Sequence, residues 1–264
     1  MKKTVNALVL IDLVFLSLLL LSGVFSGAWQ FLIYLLSYVL PITVGFVVIS
    51  KRKLRCEPQI KCRCDKLLPS LMLFPPIILV IIGISALTSL FLSMLGKSNV
   101  IDVSGNLFYE LFRHALLPAM LEEMLFRYIP LKLLLPYSRR GAIFVSALMF
   151  SLIHLNIFQL PYALFAGVAL GFVTLLSGSI VPSVILHFLN NAISVFWMRD
   201  PDVAPYIIIA VLCVLTVASA IYIVKKRRNY KAELIQALSG DRVGALPALI
   251  VMTVFCLIIS LISL

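Results

Sequence analysis

Charge is scarce in this chain, and negative charge most of all. Of 264 residues only 12% are charged, with 11 Asp or Glu against 22 Lys or Arg. Ordinary soluble domains carry about 25% charged and about 45–50% apolar residues, whereas here 62% are apolar. That balance excludes a soluble domain. Familiar reactive motifs are missing as well. There is no Gly-x-Ser-x-Gly, no His-Glu-x-x-His and no phosphate-binding glycine loop. Their absence removes serine-hydrolase, zincin and ATP-driven readings by motif. Cysteine is sparse and odd in number, at five. Cys56, Cys62 and Cys64 lie in a basic loop, and Cys213 and Cys256 lie in apolar segments. Such a set reads as reduced thiols. Cys62-x-Cys64 lacks the fourth ligand and the spacing of a zinc finger.

What the chain has is long apolar runs, with a mean hydropathy of +1.12. Windows of about 20 apolar residues recur from end to end, which predicts an all-α, polytopic transmembrane helical bundle forming one integral-membrane domain over 1–264. The expected count is about eight to nine spans, near 5–25, 29–50, 68–94, 107–135, 141–157, 160–177, 180–198, 204–224 and 244–263. Met1-Lys2-Lys3 before an apolar run resembles a signal peptide, but no small-x-small cleavage site follows. An uncleaved first helix is expected.

The net charge of +11 does not point to nucleic acid, because the basic residues fall at the ends of apolar segments. Alternating the spans from a cytosolic N-terminus puts Lys2, Lys3, Lys51–Lys66, Lys132, Arg139, Arg140, Lys225–Arg228, Lys231 and Arg242 inside. Only Lys97 and Arg199 remain outside, as the positive-inside rule predicts. Segment 229–241 is expected to lie on the inner membrane surface. Gly167 and Gly171 form a GxxxG that lets a neighbouring backbone approach, and Pro118 is expected to kink its helix ahead of Glu122.

Within these apolar segments stand three polar clusters: Glu122-Glu123 with Arg127, Phe150 with His154, and His187 with Asn191. Ionisable groups in hydrocarbon are costly and persist where they face a protein interior or a wet cavity. On an α-helix Glu123 and Arg127 are i,i+4 neighbours in the favourable order, a pair that serves equally as scaffold or site. Glu122 is left without a local partner and available as a general base. His187 and Asn191 share one helical face. Taken singly, each histidine reads as well as a packed side chain bonded across helices. Together they reach a common level. At about 1.5 Å per residue Glu122 and His154 lie roughly 20 Å from the cytosolic ends of their helices, Asn191 about 16 Å and His187 about 10 Å. Asp12 and His114 are left outside the site.

The ordered set Glu-Glu-x-x-x-Arg, Phe-x-x-x-His and His-x-x-x-Asn resembles the CPBP family, also called Abi, of intramembrane CAAX prenyl proteases and bacteriocin-processing enzymes. The resemblance covers about 107–198, the expected catalytic core, and includes the Gly167–Gly171 helix leading to Ser177-Gly178-Ser179-Ile180. It implies an intramembrane endopeptidase of a bacterial or archaeal cell membrane. Glu122 would activate water with His154, while His187 and Asn191 would stabilise the oxyanion and Glu123 and Arg127 would support them. It implies membrane lipids and a peptide substrate as partners, with no nucleic acid. Water activation needs no ion on this reading; Glu122, His154 and His187 would be the ligands of a catalytic zinc if one were used. Two other classes compete: a bacteriocin-immunity or membrane-partner protein that keeps the fold without catalysis, and a small transporter with a Glu/His relay. The absence of paired broken helices in two matching halves argues against the transporter.

Overall fold

The computed structural model describes residues 2–54, 58–61, 64–97, 105–226, 228 and 230. Among these the chain is helical, with one isolated bridge between Gln59 and Ser179. The helices are α1 (Lys2–Ser22), α2 (Gly27–Lys51), α3 (Cys64–Leu71), α4 (Phe74–Met94), α5 (107–134), α6 (Arg139–Leu152), α7 (Leu160–Ser177), α8 (Val181–Arg199) and α9 (Ala204–Lys225). The expected ninth span at 244–263 and the surface segment 229–241 fall essentially outside the described residues, as do Cys56, Cys62 and Cys256. Cys213 is a free thiol on the exposed side of α9.

Among the described residues six stretches are long and apolar enough to cross a membrane: Lys3–Ser22, Gly27–Lys51, Asp65–Met94, Leu160–Ser177, Val181–Arg199 and Ala204–Lys225. The chain is an integral membrane protein. The difference from the expected eight to nine has three sources. The ninth segment is not described, α5 is interrupted, and α6 has only 14 residues, about 21 Å at 1.5 Å per residue against a hydrocarbon core of about 30 Å. The 141–157 segment ends as helix at Leu152 because Leu155 turns left-handed (φ 47°), an uncommon conformation for a bulky residue.

α5 carries most of the core. Its faces are buried from Leu125 to Leu134, where Leu125, Phe126, Ile129, Leu131 and Leu133 meet Leu8, Ile11 and Phe15 of α1 and Tyr38 and Ile49 of α2. Two turns of α5, Leu111–Leu116 and Met124–Tyr128, are π-helical. Such wider turns occur mostly as single inserts in α-helices, frequently at functional sites. The first precedes Pro118, at the N-terminus of the following α segment. The sequence predicts a kink at Pro118 ahead of the acidic pair; what the structure shows there is a π turn just before the proline.

α6 and α7 form a close hairpin. A Cβ on Gly167 would lie 2.8 Å from the Ala147 Cα, so only glycine permits this approach. At one end of the bundle Thr4, Arg52 and Tyr137 are joined by side-chain hydrogen bonds. At another Arg199 donates to the Gly105 carbonyl (2.9 Å). The N-terminus and the 51–54 and 135–138 turns therefore share a side, in keeping with the alternation used for topology.

Candidate active site

Glu122 and Glu123 lie side by side on α5, immediately before its second π turn. Both are buried, Glu123 completely. Their partners differ. Glu123 Oε1 accepts a hydrogen bond from His187 Nδ1 at 2.9 Å and lies 3.7 Å from Arg127 Nη2. Glu122 Oε1 accepts from the Tyr38 hydroxyl at 3.3 Å, while Oε2 faces His187 Nε2 at 3.7 Å. His187 thus sits between the two carboxylates, one ring nitrogen toward each.

The π turn explains why the Glu123–Arg127 pair is looser than α-helical spacing suggests. Residues 124–128 are wound wider than an α-helix, which carries Arg127 off the i,i+4 line. Its guanidinium instead lies over the Phe150 ring, 4.0 Å from the centroid, and among the described residues none of its nitrogens has a hydrogen bond. Arg127 is fully buried. Its charge is met by Glu123 and by the aromatic face.

Phe150 is the hub of the cluster. His154 and His187 both meet its ring edge-on, with centroids 4.9 and 5.4 Å away. His154 Nδ1 stands 2.8 Å from the Phe150 carbonyl oxygen. A carbonyl and a carboxylate can only accept, so both imidazoles carry hydrogen on Nδ1 and leave Nε2 for chemistry. Two features hold His154 in place: the left-handed Leu155, and Asn156, whose side chain accepts from the Phe158 amide at 2.9 Å. Ser146 Oγ donates to the Phe126 carbonyl, tying α6 to the π turn of α5.

Asn191 lies one turn beyond His187 on α8, and its Oδ1 accepts from Asn190 Nδ2 at 3.2 Å. Its own amide hydrogens are left as donors. Glu122, Glu123, Arg127, Phe150, His154 and His187 form one continuous group of contacts, and Asn191 stands one helical turn from His187 with its side chain bonded to Asn190. His114 lies apart, paired with Glu110 at 3.1 Å, and Asp12 lies apart in α1. Among the described residues no three His, Cys, Asp or Glu side chains group into a set that could hold a metal ion.

Residues 104–193 match the Rce1-like family, type II CAAX prenyl endopeptidases. The match is consistent with the CPBP, or CAAX protease, family and points to an intramembrane protease. No curated protein and no solved structure matches the chain. The Rce1-like segment covers about a third of the 264 residues. It contains all three polar clusters and excludes α1 to α4 and α9.

One contact lies outside it. Tyr38 on α2 was missed in the sequence because a tyrosine among Leu, Val and Ile reads as apolar filling. A usable signal existed: Tyr34 and Tyr38 are i,i+4 neighbours in mid-span, and a buried tyrosine hydroxyl usually finds an acceptor.

Proposed function

We propose that the chain is an intramembrane endopeptidase that hydrolyses a peptide bond of a membrane-associated substrate of the prenylated CAAX type, using water. The observation that carries this reading is the Glu122–His187–Glu123 arrangement inside the Rce1-like segment. It sets a carboxylate oxygen beside an imidazole whose other nitrogen is already engaged.

The chemistry follows from the groups. Glu122 Oε2 takes a proton from water while the water oxygen bonds to the scissile carbonyl carbon. His154 Nε2 is the second acceptor that orients the water. The carbonyl oxygen becomes an oxyanion and is met by Asn191 Nδ2–H and by His187 Nε2–H. That role requires His187 to carry both protons, since Nδ1–H is committed to Glu123. As the carbon–nitrogen bond breaks, Glu122 returns the proton to the leaving amine. No step calls on a metal. Substrate enters from the cytosolic side, where the basic loops lie under the positive-inside assignment.

The test is cleavage of an internally quenched S-farnesyl Cys-a-a-X peptide by purified protein in micelles. Glu122→Gln is expected to lose about 100- to 10,000-fold in rate, the range of a general base, and His154→Ala a comparable factor. A wild type without turnover, or a Glu122→Gln variant as fast as wild type, rules the proposal out.

A further inference from the structure

We infer that Tyr38, on α2 and outside the Rce1-like segment, is a positioning residue for the Glu122 carboxylate. The inference rests on the reading of Glu122 as the base. Tyr38 is 3% exposed, and its hydroxyl donates to Glu122 Oε1 at 3.3 Å. A carboxylate at the head of a flexible side chain can turn either oxygen to the site. Occupying Oε1 leaves Oε2 as the oxygen directed toward His187 Nε2. The hydroxyl thereby selects which oxygen serves as base and prevents the carboxylate from rotating away.

The donor is itself held. The Tyr38 ring meets Phe15 of α1 edge-on at 4.8 Å and Tyr34 at 5.2 Å, and Phe15 meets Phe126 of α5 at 5.3 Å. Two turns further along α2, on the same face, Gly45 sets the distance between helices. A Cβ there would fall 2.8 Å from Ile129 Cγ1, so α2 lies against α5 at a depth that a larger residue would not allow. A ring used only for packing would need no hydroxyl, because phenylalanine would fill nearly the same volume; the bond to Glu122 is what the oxygen adds.

The test compares Tyr38→Phe, which removes only the hydroxyl, with Phe15→Leu, which loosens the ring's support. On the S-farnesyl Cys-a-a-X peptide, Tyr38→Phe is expected to lose about ten- to a hundredfold in kcat, the worth of a hydrogen bond to a charged group. KM stays within error of wild type, and the fall in melting temperature is small beside that of Phe15→Leu, limited to the loss of one hydrogen bond. A purely structural role would lower the melting temperature with activity, as Phe15→Leu is expected to do. An activity-independent reading comes from infrared difference spectra on acidification. The carboxyl C=O band that vanishes in Glu122→Gln should shift to higher frequency in Tyr38→Phe. Wild-type kcat together with an unmoved band overturns the inference. Full activity in Glu122→Gln instead overturns the reading of the base and leaves the infrared band to decide the Tyr38 bond.

Discussion

Arg127 and Asp12 are both buried ionisable residues, yet their surroundings differ, and so do the expected effects of replacing them. Arg127 has Glu123 at 3.7 Å and the Phe150 ring beneath it. Arg127→Met leaves Glu123 buried with only His187 to answer its charge. We expect a destabilisation of about 3–5 kcal/mol, measured by thermal unfolding in detergent, with part of it recovered in the double variant Glu123→Leu/Arg127→Met. Asp12 is also fully enclosed, but neither oxygen has a hydrogen-bond partner among the described residues. Asp12→Leu is therefore expected to raise stability by about 1–3 kcal/mol, the cost of an unsatisfied buried polar group. No gain in the same assay would mean that the carboxylate has a partner in the membrane. At this scale the sequence exposed the costly residues, because Glu, Arg and His stand out in hydrocarbon. It concealed their pairing. That Glu123 binds His187 more closely than Arg127 depends on a π turn, which follows from tertiary packing and carries no spacing signature.

Among the elements, the helices were legible from their apolar runs and their ends from local chemistry. Ser138 caps α6 through the Gly141 amide at 2.9 Å, and Gly178 ends α7 in the left-handed region. The Gly167–Gly171 spacing announced a close helix contact, and its partner proved to be α6. Gly167→Leu is expected to force α6 and α7 apart at Ala147, destabilising by about 1–3 kcal/mol and reducing peptide cleavage, because His154 rides on the end of α6. Thermal unfolding in detergent and cleavage of the S-farnesyl Cys-a-a-X peptide measure the two effects; a Gly167→Leu variant with wild-type stability and activity would contradict this role for the glycine. The span count was less legible. α6 is too short to cross by itself, a fact set by where Leu155 turns rather than by hydropathy, and α5 changes helical type twice within one apolar run.

For the whole molecule, the candidate site draws on four helices, α2, α5, α6 and α8, the first and last about 140 residues apart along the chain. Three carry the ordered motifs and lie in the Rce1-like segment; α2 supplies Tyr38 from outside it. On the proposed mechanism the reacting groups all come from this chain, so exhaustive chelation followed by dialysis should leave peptide cleavage unchanged within a factor of about two. A purified active protein with one equivalent of zinc, losing activity on chelation, would reassign Glu122, His154 and His187 as ligands. The central claim, that Glu122 is the base of a water-driven peptidase, is tested most directly by product analysis in heavy-oxygen water. Wild type and Glu122→Gln are incubated with the S-farnesyl Cys-a-a-X peptide, and the new carboxyl termini are read by mass spectrometry. The account predicts one heavy oxygen in the new carboxylate in a single turnover of wild type and no product from Glu122→Gln over the same time. Labelled product formed equally by both proteins would contradict it.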